Sequence, residues 1–466
     1  MIDILIKNGI IVTVNSKREI LYNGALAIKD NRIIDVGENK SLTNKYTDVK
    51  KTIDAKGKVV FPGFINTHTH LFQSLLKGLG DDMELHHWLS DMMFQAAIYL
   101  TEENVYYGAM SGGIEAIKSG VTTTVDYMHT HSKPKLTDSI VEAYKDLKIR
   151  GIIGRGMINT GNEFGTPLEL TQDIKTVEED LYRLFDRYHN IENGRIQIGT
   201  SPSSVWAATD EMLKRVYDIT NEYNALFAVH LSETDFNNVA SNKIHGKDDF
   251  DTLIDLGING ENVLMVHCVV LNDKQLLKAK EYNMKVSHNV VSNMYLASGT
   301  APITKMIEMG LTVGLGVDGA ASNNSQDIIE TMKITALQQK VKTLDPVSIT
   351  AEKVLEMATI DGAKAIGLDK EIGSIEIGKK ADLLVFNPML NPKAIPMHNP
   401  VSTLVYSSGV ENVETVIIDG NIVMENRKIL TLDSEEETLK KIQNSAEDLC
   451  SRGNITNRMS GHKWNR

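Results

Sequence analysis

The stretch FPGFINTHTHLFQSLLKG, beginning at Phe61, breaks an apolar run at a Pro-Gly pair and then sets two histidines, His68 and His70, one residue apart. On a strand, residues so spaced point to the same side, so the two rings can hold one ion together. Taken alone, such a pair is more often two polar residues closing a strand. The same kind of position recurs, however, where other apolar runs end: His230 and Glu233 after ALFAV, His267 after NVLMV, His288 after MKVS, and Asp318 after LTVGLGV. Imidazoles with a carboxylate form a donor set suited to zinc or ferrous iron, with a position left for water. Such an ion lowers the pKa of its water to roughly 7 and so supplies hydroxide at neutral pH. Glu233 follows His230 closely enough to take a proton from that water and hand it to a ring nitrogen of a substrate.

These side chains need a scaffold that brings strand ends together. KVVFPGFINTH, GVTTTVDY, IRGIIGRGM, RIQIGTSPS, ALFAVHLSE, NVLMVHCV, MKVSHNVVSN and LTVGLGVDG alternate with helical patterns such as TEENVYYGAMSGGIEAIKSG and NDKQLLKAKEYN. Short unbroken apolar runs suit a parallel sheet buried on both faces, and this alternation predicts a (β/α)8 barrel whose C-terminal strand ends carry the chemistry. A second HTH, His129 and His131, falls beyond VTTTVDY in an expected loop and is read as outside the ligand set. The N-terminal segment alternates like a sheet, with hairpin turns expected at Asn8-Gly9 and Asn23-Gly24, and the pattern returns late with Asp419-Gly420. The expected organisation is a composite β-sandwich domain from 1–60 plus 370–430, a catalytic barrel over 61–369, and a C-terminal helix and tail over 431–466.

Composition narrows the class. The 466 residues are 24% charged and 42% hydrophobic, as in a soluble globular protein, and no apolar run approaches the roughly 18 residues of a membrane span. MIDILIKNGIIVTV lacks the basic start and cleavage site of a secretion signal, so a cytoplasmic location is expected. With only Cys268 and Cys450, neither a disulfide framework nor a cysteine-rich zinc site is supported. A net charge of −12 offers nothing to nucleic acid, and the polar, locally basic tail SRGNITNRMSGHKWNR is read as a solvated end.

PGFINTHTH, HLSE, HCV, SHNVVSN and LGVDGAASNN, with the late IGSIEIGKKADLLVFN, resemble the amidohydrolase superfamily over nearly the whole chain. Within it the chain is most similar to the branch of mononuclear deaminases and triazine chlorohydrolases, which includes adenosylhomocysteine, guanine, 8-oxoguanine and cytosine deaminases. The resemblance implies that His68, His70, His230 and Asp318 hold the metal. It also makes Glu233 the proton shuttle and His267 a hydrogen-bond partner of the attacking water or the substrate. Asp318 would take the water's second proton and pass it to departing ammonia. The run RIQIGTSPSS has no lysine where binuclear members bridge two metals, so one divalent ion per chain, zinc or iron, is expected. A homo-oligomer is implied by the resemblance alone.

Four residues are candidates for substrate contacts. Gln73 has an amide able to read a carbonyl and an adjacent ring NH. Trp88, in the Met-rich stretch DDMELHHWLSDMMF, is placed to close over a flat ring. Arg155 ends the third barrel strand and is a partner for a carboxylate, carbonyl or ribose, while His288 either reaches the site or caps its strand. Ser203 and Ser204 stand near where adenosylhomocysteine deaminases usually place a sugar-binding histidine. The leading expectation is therefore deamination of a free purine, pyrimidine or related heterocycle. An adenosine-type nucleoside, a triazine losing chloride or alkylamine, and a non-catalytic metal-binding barrel are the alternatives.

Overall fold

The N-terminal segment forms β1 (Ile2–Val12), β2 (Ile20–Lys29), β3 (Arg32–Glu38), β4 (Val49–Asp54) and β5 (Val59–Pro62). A computed structural model describes residues 1–455 of the chain; residues 456–466, which make up most of the expected solvated tail, lie outside the described residues. The expected hairpin turns at Asn8-Gly9 and Asn23-Gly24 are not turns. Both pairs lie inside strands, with Gly9 opposite Gly24 at an irregularity of the β1–β2 ladder and Asn8 in the left-handed region. Two turn-type dipeptides facing each other across a ladder make a bulge, which a local reading cannot distinguish from two hairpins.

The eight apolar runs supply β6 (Phe64–Thr69), β7 (Val121–Met128), β8 (Arg150–Arg155), β9 (Ile196–Thr200), β10 (Phe227–Leu231), β11 (Val263–His267), β12 (Lys285–His288) and β13 (Thr312–Leu315). They pair in parallel and in sequence order. Side-chain and main-chain hydrogen bonds join the last strand to the first: Asp318 N–H donates to His68 O (3.0 Å), and Val317 N–H to Asn66 Oδ1 (3.1 Å). The result is a nearly closed parallel barrel, as the unbroken runs predict. Helices cover it where expected. The Asn272 side chain caps helix Asp273–Glu281 by accepting from Lys274 and Gln275 N–H, while Gln275 Oε1 accepts the Asn272 N–H.

One run divides differently from the sequence reading. KVVFPGFINTH is not one barrel strand: Val59–Pro62 stays in the first sheet and Phe64–Thr69 enters the barrel, with Gly63 between them. Gly63 N–H donates to Asp382 O (2.8 Å), and a Cβ there would lie 2.2 Å from Thr122 Oγ1, so only glycine fits this crossing.

The late segment returns as β14 (Leu383–Phe386), β15 (Val413–Ile418), β16 (Asn421–Glu425) and β17 (Lys428–Ile429), with the Asp419-Gly420 turn joining β15 to β16. β14 pairs antiparallel with β5, so both chain ends build one nine-stranded mixed sheet. Ile33 of β3 and Ile417 of β15 belong to one apolar cluster although several strands separate them, so the sheet curls around its own core. Arg150 fastens β8 to this sheet, donating to both oxygens of Asp382 (2.6 and 3.0 Å) and to Asp419 (3.2 Å). Glu435–Arg452 forms the final helix, and among the described residues no helix is long and apolar enough to cross a membrane.

Candidate active site

β6 delivers His68 and His70 from its end, β10 delivers His230, and the residue after the β13 turn region delivers Asp318. His68 Nε2 and His70 Nε2 lie 3.1 and 3.2 Å from Asp318 Oδ1, and His230 Nε2 lies 3.3 and 3.2 Å from the same two histidine nitrogens. The outer nitrogens fix the rings: His70 Nδ1 donates to Tyr127 O (2.6 Å) and His230 Nδ1 to Ser203 O (2.5 Å). A neutral ring that donates through Nδ1 carries a lone pair on Nε2. Two such lone pairs facing each other repel unless a cation lies between them, so this donor set fits a divalent ion held by three imidazoles and a carboxylate. Burial pushes the His68 imidazole down to about 3 and also lowers that of His230, which keeps both rings in the neutral form a metal requires.

The proton-handling groups stand beside this cluster. Glu233 is buried, accepts from Ser298 Oγ (3.2 Å) and turns Oε2 to within 3.6 Å of His267 Nε2. Burial raises its carboxyl pKa above the ordinary glutamate value, which favours its taking up a proton. Ser232, His267 and Asp318 all have left-handed backbones, with φ of 48°, 76° and 65°. Non-glycine residues in that region cost free energy, and their gathering around one cluster is typical of a site that the rest of the fold holds in place.

Gln73 lines the cavity above the cluster, fully buried, with neither amide atom hydrogen-bonded. Gly319 makes room for it, since a Cβ there would fall 1.8 Å from Gln73 Oε1. Trp88 is a second wall, its indole N–H donating to Ala321 O (2.9 Å). Leu89, Phe94 and Leu296 add further apolar wall.

Two expected contacts need correction. Arg155 is not in the cavity: it points into the helix layer, where Nε donates to Asp180 of helix Ile174–Tyr188 (3.0 Å) and Nη1 to Gly156 O and Gln172 Oε1. His288 is also absent from the cavity wall, buried with neither nitrogen hydrogen-bonded. Its neighbour Ser287 reaches across the barrel interior to Thr67 (2.7 Å), so alternation along β12 turns His288 outward. His129 also lines the cavity, with Nδ1 at 3.2 Å from His70 Nδ1, the ring nitrogen that does not face the ligand cluster, while His131 pairs with Thr137.

Other cavity residues carried no signal in the sequence reading. Trp206, Phe236 and Asn237 line the outer part of the cavity, and Phe236 packs edge-on against Trp206 with ring centroids 5.5 Å apart. Trp206 stands in the SPSSVWAAT loop singled out only for its serines, and Phe236 follows HLSE. Both are aromatic residues soon after a barrel-strand end, a position that could have flagged them.

A family model described as "Amidohydrolase family" matches residues 59–423. The chain is 40% identical over 447 residues to a 5'-deoxyadenosine deaminase of Methanobrevibacter smithii, covering 96% of this chain and 98% of that protein. It is 34% identical over 450 residues to a 5-methylthioadenosine/S-adenosylhomocysteine deaminase of Syntrophomonas wolfei, covering 96% and 100%. In fold it is similar to a crystal structure of an adenosine deaminase from Xanthomonas campestris with bound zinc, with a TM-score of 0.89 at 24% identity over 97% of this chain and 99% of that one.

Proposed function

The chain belongs to the amidohydrolase family and is a hydrolase of carbon–nitrogen bonds of the deaminase type, and from that premise we propose that it deaminates an adenosine-type nucleoside altered at its 5' carbon. The observation that carries this reading is the pairing of Glu233 with His267 beside a four-residue ligand cluster, beneath a cavity walled by rings and apolar side chains. The relatives' substrates move the weight from a free base to a nucleoside.

His68, His70, His230 and Asp318 would hold one divalent ion, zinc or iron, which supplies hydroxide at neutral pH. Glu233 moves a proton onto the purine ring nitrogen next to the amino-bearing carbon, which makes that carbon electrophilic. Asp318 takes the water's other proton and returns it to the departing amino group, so one water is consumed and one ammonia released. His267 donates a hydrogen bond to the oxygen that becomes the product carbonyl. The apolar surfaces of Trp88, Leu89 and Leu296 support a flat ring.

A second reading has one observation in its favour. The open amide of Gln73 suits a free base presenting a carbonyl beside a ring NH, as in a guanine-type ring. Ammonia release from 5'-deoxyadenosine, 5'-methylthioadenosine, adenosine, adenine and guanine, with chloride release from a chlorotriazine as a further arm, separates these. The highest kcat/KM on a 5'-altered nucleoside is the expected result. A preference for guanine selects the second reading, and chloride release without ammonia release overturns both.

A further inference from the structure

The motif SHNVVSN places three buried polar side chains around the reacting groups, although none of them lines the cavity. Asn293 Nδ2 lies 2.9 Å from His267 Nδ1, and Asn289 Nδ2 lies 3.3 Å from the same atom. Ser292 Oγ donates to Asp318 Oδ2 (2.5 Å), where Ser322 Oγ also donates (3.2 Å). Ser292 and Asn293 are neighbours on helix Val290–Tyr295, so one turn touches both the ligand Asp318 and His267 beside the cluster.

We propose that Asn293 and Ser292 are positioning residues: Asn293 fixes His267 with its proton on Nε2, and Ser292 pins Asp318 so that Oδ1 faces the histidine ligands. The mechanistic part of this inference rests on the deaminase reading, whereas the tautomer and the ligand geometry do not.

Two amide N–H groups directed at one ring nitrogen make that nitrogen an acceptor and leave the proton on the other. Asn289 is held in this orientation because its Oδ1 accepts from Ser287 Oγ (3.2 Å). For Asn293 the alternative orientation would bury its amino group without an acceptor, whereas the observed one leaves only a carbonyl oxygen unpaired. Buried donors without partners are the rarer and costlier of the two. At the other end of the ring, Nε2 faces the Glu233 carboxylate, which accepts and does not donate when ionised. A ring with Nε2–H cannot ligate through that atom. This explains why His267 stays outside the ligand set although its centroid is only 5.4 Å from that of His230.

Asp318 is specified in the same way. Oδ2 takes both serine hydroxyls, while Oδ1 takes the Gly319 N–H (2.8 Å) and faces His68 and His70. Partners of this kind around metal ligands are worth roughly 10–100-fold in metal affinity.

The test uses zinc-loaded enzyme labelled with 15N-histidine, together with titrations of the metal-free protein with zinc. The ring nitrogen shifts of His267 should show Nδ1 unprotonated and Nε2 protonated. Asn293→Asp keeps the shape but only accepts, so it should move the proton to Nδ1 and lower kcat about 100-fold or more, the scale of a lost hydrogen-bond donor to the reacting oxygen, with KM little changed. Ser292→Ala should weaken zinc binding roughly 10–100-fold, and Ser292→Thr, which keeps the hydroxyl, should restore it. A wild-type His267 protonated on Nδ1, an unaltered tautomer in Asn293→Asp, or wild-type zinc affinity in Ser292→Ala overturns the proposal. If no nucleoside is turned over, the deaminase reading fails, and the shifts and zinc affinities still decide this inference.

Discussion

His70 Nε2 and His230 Nε2 face each other at 3.2 Å, while the far nitrogen of each ring donates to a main-chain carbonyl. A bound cation relieves the repulsion between their lone pairs, so ion binding should stabilise the fold. Removing the metal with a chelator should therefore lower Tm, and zinc should restore it. At a free concentration about 1,000 times the Kd, the stabilisation reaches about 4 kcal/mol. Calorimetry with and without chelator decides the matter, and equal Tm values in protein that initially held about one metal per chain would refute it.

Glu233→Gln keeps the size and hydrogen-bonding reach of the side chain but cannot carry the proton. Turnover should fall about 10²–10⁴-fold, with metal content by mass spectrometry unchanged. Wild-type turnover would remove Glu233 from the chemistry.

Gln73 holds a buried amide with no partner in the protein, an arrangement that costs about 1–3 kcal/mol. Gln73→Met, similar in volume and free of that cost, should unfold at higher denaturant while its KM rises. Higher stability without a change in KM would mean that the amide does not meet substrate.

Arg155 is buried against Asp180, which Arg183 also pairs (2.7 Å), so its truncation removes packing and hydrogen bonds without leaving that carboxylate unpaired. Arg155→Ala should lose about 1–3 kcal/mol in chemical denaturation, yet the folded fraction should keep its KM. A raised KM would return Arg155 to the substrate.

Asp327 caps helix Ile328–Thr343, accepting from Ile329 and Glu330 N–H, and burial pushes its carboxyl up to about 6 from an ordinary 3.8. The folded state thus holds this proton more tightly than the unfolded chain. Its contribution to stability is full below about pH 4 and is lost as pH rises to about 6. Asn caps as well as Asp does. Stability of Asp327→Asn relative to the wild type should therefore climb between pH 4 and 6 and level off above, by about 1–3 kcal/mol. A flat difference in urea melts across that range would rule this out.

The barrel was legible because most of its strands are short, largely apolar runs and because most of the chemistry-bearing residues end those runs. What stayed hidden depends on partners distant in sequence. Asn8-Gly9 reads as a turn until Asn23-Gly24 is found opposite it. Arg155 and His288 end strands as His70 does, but the pleat directs them away from the cavity, and a run of buried residues does not reveal which side is inward. Trp206 belongs to a loop and Phe236 to the first turn of helix Asp235–His245, and packing sets where each lies, so only the fold brings them to the cavity wall.

The Gly63 crossing also bears on the order of assembly. His68 and His70 lie just past the point where the chain leaves its first sheet, and that sheet is completed only when Leu383–Phe386 arrives to pair with Val59–Pro62. A chain growing from the ribosome makes every residue of the ligand cluster before it makes β14. Until then, the edge of β5 that β14 will cover is open to wrong partners. The ligand residues thus all precede in sequence the strands that complete the first sheet, and β14 covers the open edge of β5 last.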